Sequence, residues 1–177
     1  MALERRLADF SGSLGPVDAR THRTFGFDVP GGCRALRLRF DYRPKRPTEQ
    51  HSAALIRAAL EARAQALAAR LGSTQAHLAQ AWAEAQQQRL LGPSATPGPY
   101  GRTPNLLTLS LDDAQGAYRG AAHRHDPAQE LWLAPETASP GFVAGPLPAG
   151  RWTVTLTVHG LHTASCRYRI QIGAVTA

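Results

Sequence analysis

The stretch APETASPGFVAGPLPAGR, residues 134–151, runs directly into WTVTLTV, residues 152–158, and the change of texture between them decides the fold. The first part holds Pro135, Pro140, Pro146 and Pro148 with Gly141, Gly145 and Gly150. Proline removes a ladder donor and glycine opens positive φ, so this part must be an irregular connection. The second part puts Trp152, Val154, Leu156 and Val158 on one face and three threonines on the other. That is the signature of a half-buried strand.

The same period recurs on both sides. Leu36, Leu38, Phe40 and Tyr42 alternate with Arg37, Arg39, Asp41 and Arg43, and a slip of one residue would bury three arginines, so the register is firmly set. Phe25, Phe27 and Val29 alternate before the turn Pro30-Gly31-Gly32, and residues 10–14 predict a brief edge strand. Downstream, Leu107, Leu109 and Leu111 form one apolar face, and Cys166, Tyr168, Ile170 and Ile172 form another. Residues 130–134 read as a short apolar strand, residues 118–126 have no defined pattern, and Asp112 to Gly116 reads as a turn. Six to eight short strands with no βαβ spacing predict an antiparallel β-sandwich, jelly-roll-like, as a single domain over residues 1–177.

One segment breaks the period. After Pro44 and Pro47, Thr48 can cap a helix in which Ile56, Leu60, Ala64, Leu67 and Leu71 fall at helical spacing. Gly72 suits its C-terminal end, and Ser73 or Thr74 can cap a second helix carrying Leu78 and Trp82. So short a connection makes residues 48–91 an inserted αα-hairpin. In that reading the Ile56–Leu71 stripe packs on Leu78 and Trp82, and Leu55, Leu90 and Leu91 still need cover. These six residues (Leu55, Ile56, Leu78, Trp82, Leu90 and Leu91) are the expected interaction surface, for a protein partner or for a homodimer closing a four-helix bundle.

Composition bounds the function. Net charge is +7, and all but one of the 20 basic residues are arginine, the exception being Lys45. Arg37, Arg39, Arg167 and Arg169 would form one basic sheet face if their strands are neighbours, a candidate anion-binding surface. No nucleic-acid module is visible, and the face lacks interleaved exposed aromatics, which leaves polyanion or nucleic-acid binding as one alternative function, beside a metal-assisted hydrolase remnant built on His123 and His125. No run is apolar and long enough to span a membrane, and Met1 to Arg6 lacks a secretory h-region, so the expected address is cytoplasmic. Two cysteines, Cys33 and Cys166, are too few for a disulfide scaffold, and Cys166 reads as a small core residue.

Residues 138–152, ASPGFVAGPLPAGRW, also resemble the N-terminal accessory domain that precedes the catalytic PHP domain in the CehA/McbA family of metallohydrolases. Residues 10–18, FSGSLGPVD, and 25–32, FGFDVPGG, resemble its opening strand and F-x-V-P-x-G turn. Residues 109–116, LSLDDAQG, and 118–120, YRG, are similar to its L-G-L-F-D-P-R-G and F-R-G segments. The likeness covers residues 10–43 and 105–173 and leaves the helical segment without a counterpart. It implies a β-sandwich whose role is accessory, beside a PHP-type hydrolase. The chain ends at Ala177, where the resemblance would place the catalytic domain's first metal-binding His-x-His.

Catalytic chemistry finds little purchase. There is no nucleophile elbow, Gly-rich phosphate loop or Cys-x-x-Cys pair. His123, His125 and Asp126 are the candidate metal ligands, but a site needs three or four donors, and a polar loop is the better reading. Asp112 and Asp113, being adjacent, ill suit a paired-carboxylate site and fit a turn. The expectation is a non-enzymatic binding module that needs no cofactor.

Overall fold

The computed structural model describes residues 4–92, 104–122 and 126–176. Among them are strands β1 (Glu4–Leu14), β2 (Thr21–Val29), β3 (Ala35–Arg43), β4 (Leu106–Asp112), β5 (Tyr118–Ala122), β6 (Ala128–Leu133), β7 (Gly150–Gly160) and β8 (Cys166–Val175). Two helices, α1 (Glu49–Leu71) and α2 (Ala76–Leu91), stand between β3 and β4. The chain forms two compact units, Met1–Lys45 with Asn105–Ala177, and Arg46–Pro104.

The first unit is the sandwich. One sheet has the order β1-β8-β3-β6 and the other β2-β7-β4-β5, with every pairing antiparallel. Chain-adjacent strands thus wrap from sheet to sheet except at the β4–β5 hairpin, which is jelly-roll wiring. The alternating residues do what their period demands. Leu36, Leu38, Phe40, Leu107, Leu109, Trp152, Leu156, Ile170 and their neighbours share one buried core. Each large apolar side chain fully buried there contributes about 1.5–3 kcal/mol. Cys33 and Cys166 are both buried and unpaired as a disulfide, and burial pushes both thiols up, so they serve as small core residues.

β1 is an edge strand but a long one, of 11 residues. The patternless region yields β5, whose backbone is tied down rather than its side-chain period. Here the proline-rich segment straps the sandwich. Ser139 N–H donates to the Trp132 carbonyl (2.7 Å), Ala121 N–H to that of Gly141 (2.9 Å) and Val143 N–H to that of Arg119 (2.9 Å). The strap therefore bonds to β6 of one sheet and β5 of the other. Gly120 and Gly141, at φ of 111° and 94°, pass so close that a Cβ on either would overlap the other segment's backbone.

Arg119 locks the strap from beneath. Its guanidinium donates to the carbonyls of Pro146 (2.7 Å), Val143 (3.1 Å) and Gly145 (3.1 Å), and pairs with Asp113 at 3.4 Å. The same group lies 5.4 Å from the Trp152 ring centre. Asp113 meanwhile accepts from the backbone of Gln115 (2.9 Å) and Ala117 (3.0 Å), which makes it the turn residue expected.

A second polar knot closes the sandwich where the helices leave it. Asn105 N–H donates to the Lys45 carbonyl (2.8 Å), and its buried side chain bonds Pro44, Thr163 and the His162 backbone. Lys45 Nζ reaches the Tyr42 hydroxyl at 2.6 Å and the Asn105 carbonyl at 3.1 Å. The two ends of the insertion are thus held together by the sandwich's own bonds.

The second unit is the hairpin. Thr48 caps α1 by accepting from His51 N–H (3.2 Å), and Gly72 ends the helix at φ 78°. α2 departs from expectation: Gln75, not Ser73 or Thr74, is its N-cap, and no side chain caps it. The seam also differs. Ala64, Ala79 and Ala83 are the buried apolar residues of the two helices, with Ser52 also buried, whereas Leu78 is 50% exposed.

Candidate functional site

β3 and β8 pair directly, and their register sets Arg39 beside Gln171, Asp41 beside Arg169 and Arg43 beside Arg167. Arg37, Arg39, Arg167 and Arg169 therefore do share one outer face. It is not a uniform basic stripe. Arg169 donates to both carboxylate oxygens of Asp9, from Nε at 2.9 Å and from the terminal nitrogen at 2.7 Å. Gln171 adds a third bond to Asp9 at 3.1 Å, and Arg6 stands 3.6 Å away. The Arg169 hydrogen bonds lower the Asp9 carboxyl to about 2. Arg39 pairs with Glu130 at 3.1 Å, and Arg43 approaches Asp41 at 3.6 Å. Three carboxylates thus interrupt the middle of the face.

The row at one end carries an aromatic ring as well. Across the sheet, Trp132 of β6, Arg37 of β3, Gly173 of β8 and Arg6 of β1 lie in one row. The Arg37 guanidinium stands 5.7 Å from the Trp132 ring centre. Arg6, Arg37, Arg39, Gln171 and Gly173 line a groove of about 260 Å³. Trp132 adds an aromatic to this face, though not an exposed one: its neighbours Leu131 and Leu133 are buried, so the ring is set on the outer side, half-buried beside Arg37.

Arg6 had no visible signal. By simple alternation it shares parity with Ala8 and Phe10, which pair with the core residues Ile172 and Ile170. A β-bulge between Arg6 and Ala8 adds Leu7, and Arg6 then faces Gly173 on the opposite side. Bulges re-aim side chains in this way.

In the hairpin, Leu55, Leu78 and Leu90 are exposed at 40%, 50% and 45%. Ile56, Trp82 and Leu91 are half-buried, and the Arg63 guanidinium lies 5.9 Å from the Trp82 ring centre. Of the candidate metal ligands, His123 and His125 lie outside the described residues, while Asp126 is exposed and offers its carbonyl to Gln129 (2.9 Å). Among the described residues no three His, Cys, Asp or Glu side chains converge. His159 bonds Thr108 at 2.9 Å and His22 bonds Thr157 at 3.0 Å, both on the threonine-bearing outer face of the second sheet. Among the described residues no helix is long and apolar enough to cross a membrane.

No family model matches the chain, and no curated protein matches it.

Proposed function

We propose that the chain is a non-catalytic β-sandwich module that works by binding protein, a second copy of itself first, through the inserted hairpin. The observation that carries this reading is the inverted use of side chains in the two helices. Small alanines fill the seam, while Leu55, Leu78 and Leu90 stay exposed. Helices of 23 and 16 residues that bury so little apolar area are marginal alone. A second hairpin related by a two-fold axis would cover those leucines and complete a four-helix bundle. The resemblance of residues 138–152 to an accessory domain makes a PHP-type hydrolase the other protein to try as partner.

The bond from Asn105 to Lys45 makes the test clean, because the sandwich ends meet without the insertion. Residues 46–104 are replaced by a short Gly-Ser linker, and mass is measured by light scattering. A dimeric parent and a folded monomeric deletion are expected. A monomeric parent, or a deletion that is equally dimeric, sinks the reading.

A further inference from the structure

We infer that the free edge of β2 takes an extended segment of a partner protein, one that carries a carboxylate two residues from a large apolar side chain. This surface belongs to the sandwich and is independent of the hairpin.

Four strands end the two sheets, β1 and β6 in one and β2 and β5 in the other. The strap covers one flank, bridging Phe142 to Gly120 of β5 and Ala138 to Leu133 of β6. β1 and β2 meet on another flank, where Phe10 and Phe25 stack at 4.7 Å. Among the described residues no segment pairs with the outer edge of either strand. A bare edge is a row of unpaired N–H and C=O groups that a further strand can use. The two edges are not equivalent. The register of β1 breaks at Leu7, and a bulge blunts an edge. β2 keeps an unbroken register with β7 from Thr21 to Val29 and contains no proline. It is the edge that an incoming strand can follow.

Beside it runs a groove of about 400 Å³, with Arg5, Leu7, Ala8 and Phe10 on the β1 side and Gly26 and Phe27 on the β2 side. Leu7, Ala8 and Phe10 pack against the core and Phe27 is buried, so the floor is apolar. An added residue opposite Phe27 shares its inward face, which directs that side chain into the groove. A large apolar group fits there.

Arg5 sets the second requirement. It faces Ala174, and Ala8 faces Ile172, which are successive inward positions of β8. Arg5 therefore stands on the core side of β1, one same-face step from the apolar floor, yet it is exposed. Arg6 is held by Asp9 at 3.6 Å and Arg151 by Asp28 at 3.0 Å, whereas among the described residues no carboxylate pairs with Arg5. An inward-pointing cation at an open edge repels a purely apolar strand, the kind that aggregates. A strand that brings a carboxylate to that place is accepted, so one residue supplies both rejection and selection. β2 does not meet this requirement itself, because Asp28 has Gly26 and Pro30 two residues away. The occupant is thus a different protein rather than a second β2.

The test pans a phage-displayed library of randomised peptides, matched to the nine residues of β2, on the full chain. Enriched sequences should place Asp or Glu two residues from Phe, Leu, Ile or Trp. Replacing that acid by its amide in a synthetic peptide should weaken binding about fivefold, the scale of one partly solvated ion pair. Arg5→Gln should cost the same, and the two changes together no more than either alone. Arg5→Glu should enrich Lys or Arg at that position instead. Arg5 is exposed, so neither variant endangers the fold. In hydrogen exchange, bound peptide should slow alternate amides of β2, since only every second N–H points to a free edge. No enrichment, enrichment without the acid, an unchanged preference in Arg5→Glu, or protection elsewhere than β2 overturns the proposal. Protection of β2 in the concentrated chain without peptide, lost on dilution, would make the occupant a second copy and overturn it equally.

Discussion

Arg119 over Trp152 in the sandwich and Arg63 over Trp82 in the hairpin are nearly the same contact, at 5.4 and 5.9 Å from guanidinium to ring centre. Their surroundings are opposites. Trp152 is fully buried, and Arg119 is 5% exposed with carbonyls and a carboxylate on its donors. Arg63 is exposed and Trp82 only half-buried. A desolvated cation must be satisfied on every side, so Arg119 can organise a whole strap of irregular backbone. A hydrated one has water as an alternative to each contact, so Arg63 organises little. Burial, not the pairing, sets what an arginine–tryptophan contact does.

The largest expected effect comes from breaking the buried member. Arg119→Ala leaves Asp113 as a buried carboxylate and frees the carbonyls of Val143, Gly145 and Pro146. Stability should fall by about 3–5 kcal/mol. Arg63→Ala should change it by less than about 1 kcal/mol. Denaturant midpoints of the two variants decide the matter. Equal midpoints would mean that burial is not the distinguishing variable.

The two units differ as sharply in apolar packing, and a smaller effect follows. The sandwich core is filled by large side chains such as Trp152, Phe40 and Leu156, the hairpin seam by Ala64, Ala79 and Ala83. A large residue cannot enter an alanine seam without spreading the helices. Ala79→Leu should therefore destabilise the hairpin by about 1–3 kcal/mol, although it adds apolar surface. Helical signal lost at lower temperature, with the β signal unchanged, is the expected melt. A variant as stable as the parent would show that the seam is loose.

This contrast also explains what could be read from residue order alone. Two-residue alternation with large apolar groups fixes a strand's register, which is why Leu36 to Tyr42 and Trp152 to Val158 are as expected. Alanine on every side of a helix carries no such mark, so the burial of Ala64, Ala79 and Ala83 and the half exposure of Leu78 are not legible in residue order. β5 was invisible because YRGAA has no period; backbone bonds to Gly141 and Val143 hold it in place. On the candidate site, parity places Arg37 and Arg39 of β3 and Arg167 and Arg169 of β8 on one face, and the same parity hides Arg6 behind the bulge. Trp132 sat in what reads as an apolar strand, and its outward side follows only from Leu131 and Leu133 pointing in.

The smallest effect belongs to the exposed charges that divide the outer face. Asp9 is lowered from 3.8 to about 2, chiefly by the Arg169 hydrogen bonds, with Gln171 adding to it. A carboxyl lowered on folding binds fewer protons in the native state than in the unfolded one, so stability rises with pH across that interval. The contribution of Asp9 is fully present above pH 3.8 and is lost as pH falls toward 2. Because Arg169 is half exposed, water and salt weaken the pair, and the loss should be well under that of Arg119→Ala. Asp9→Asn tests this by comparison with the parent from pH 5 down to pH 2, at low and high salt. The gap between the two proteins should close as pH drops below 4, and should be narrower throughout in high salt. A gap that stays constant down to pH 2 would mean that Asp9 acts by shape rather than charge, and the carboxylates would no longer explain why the basic face is divided.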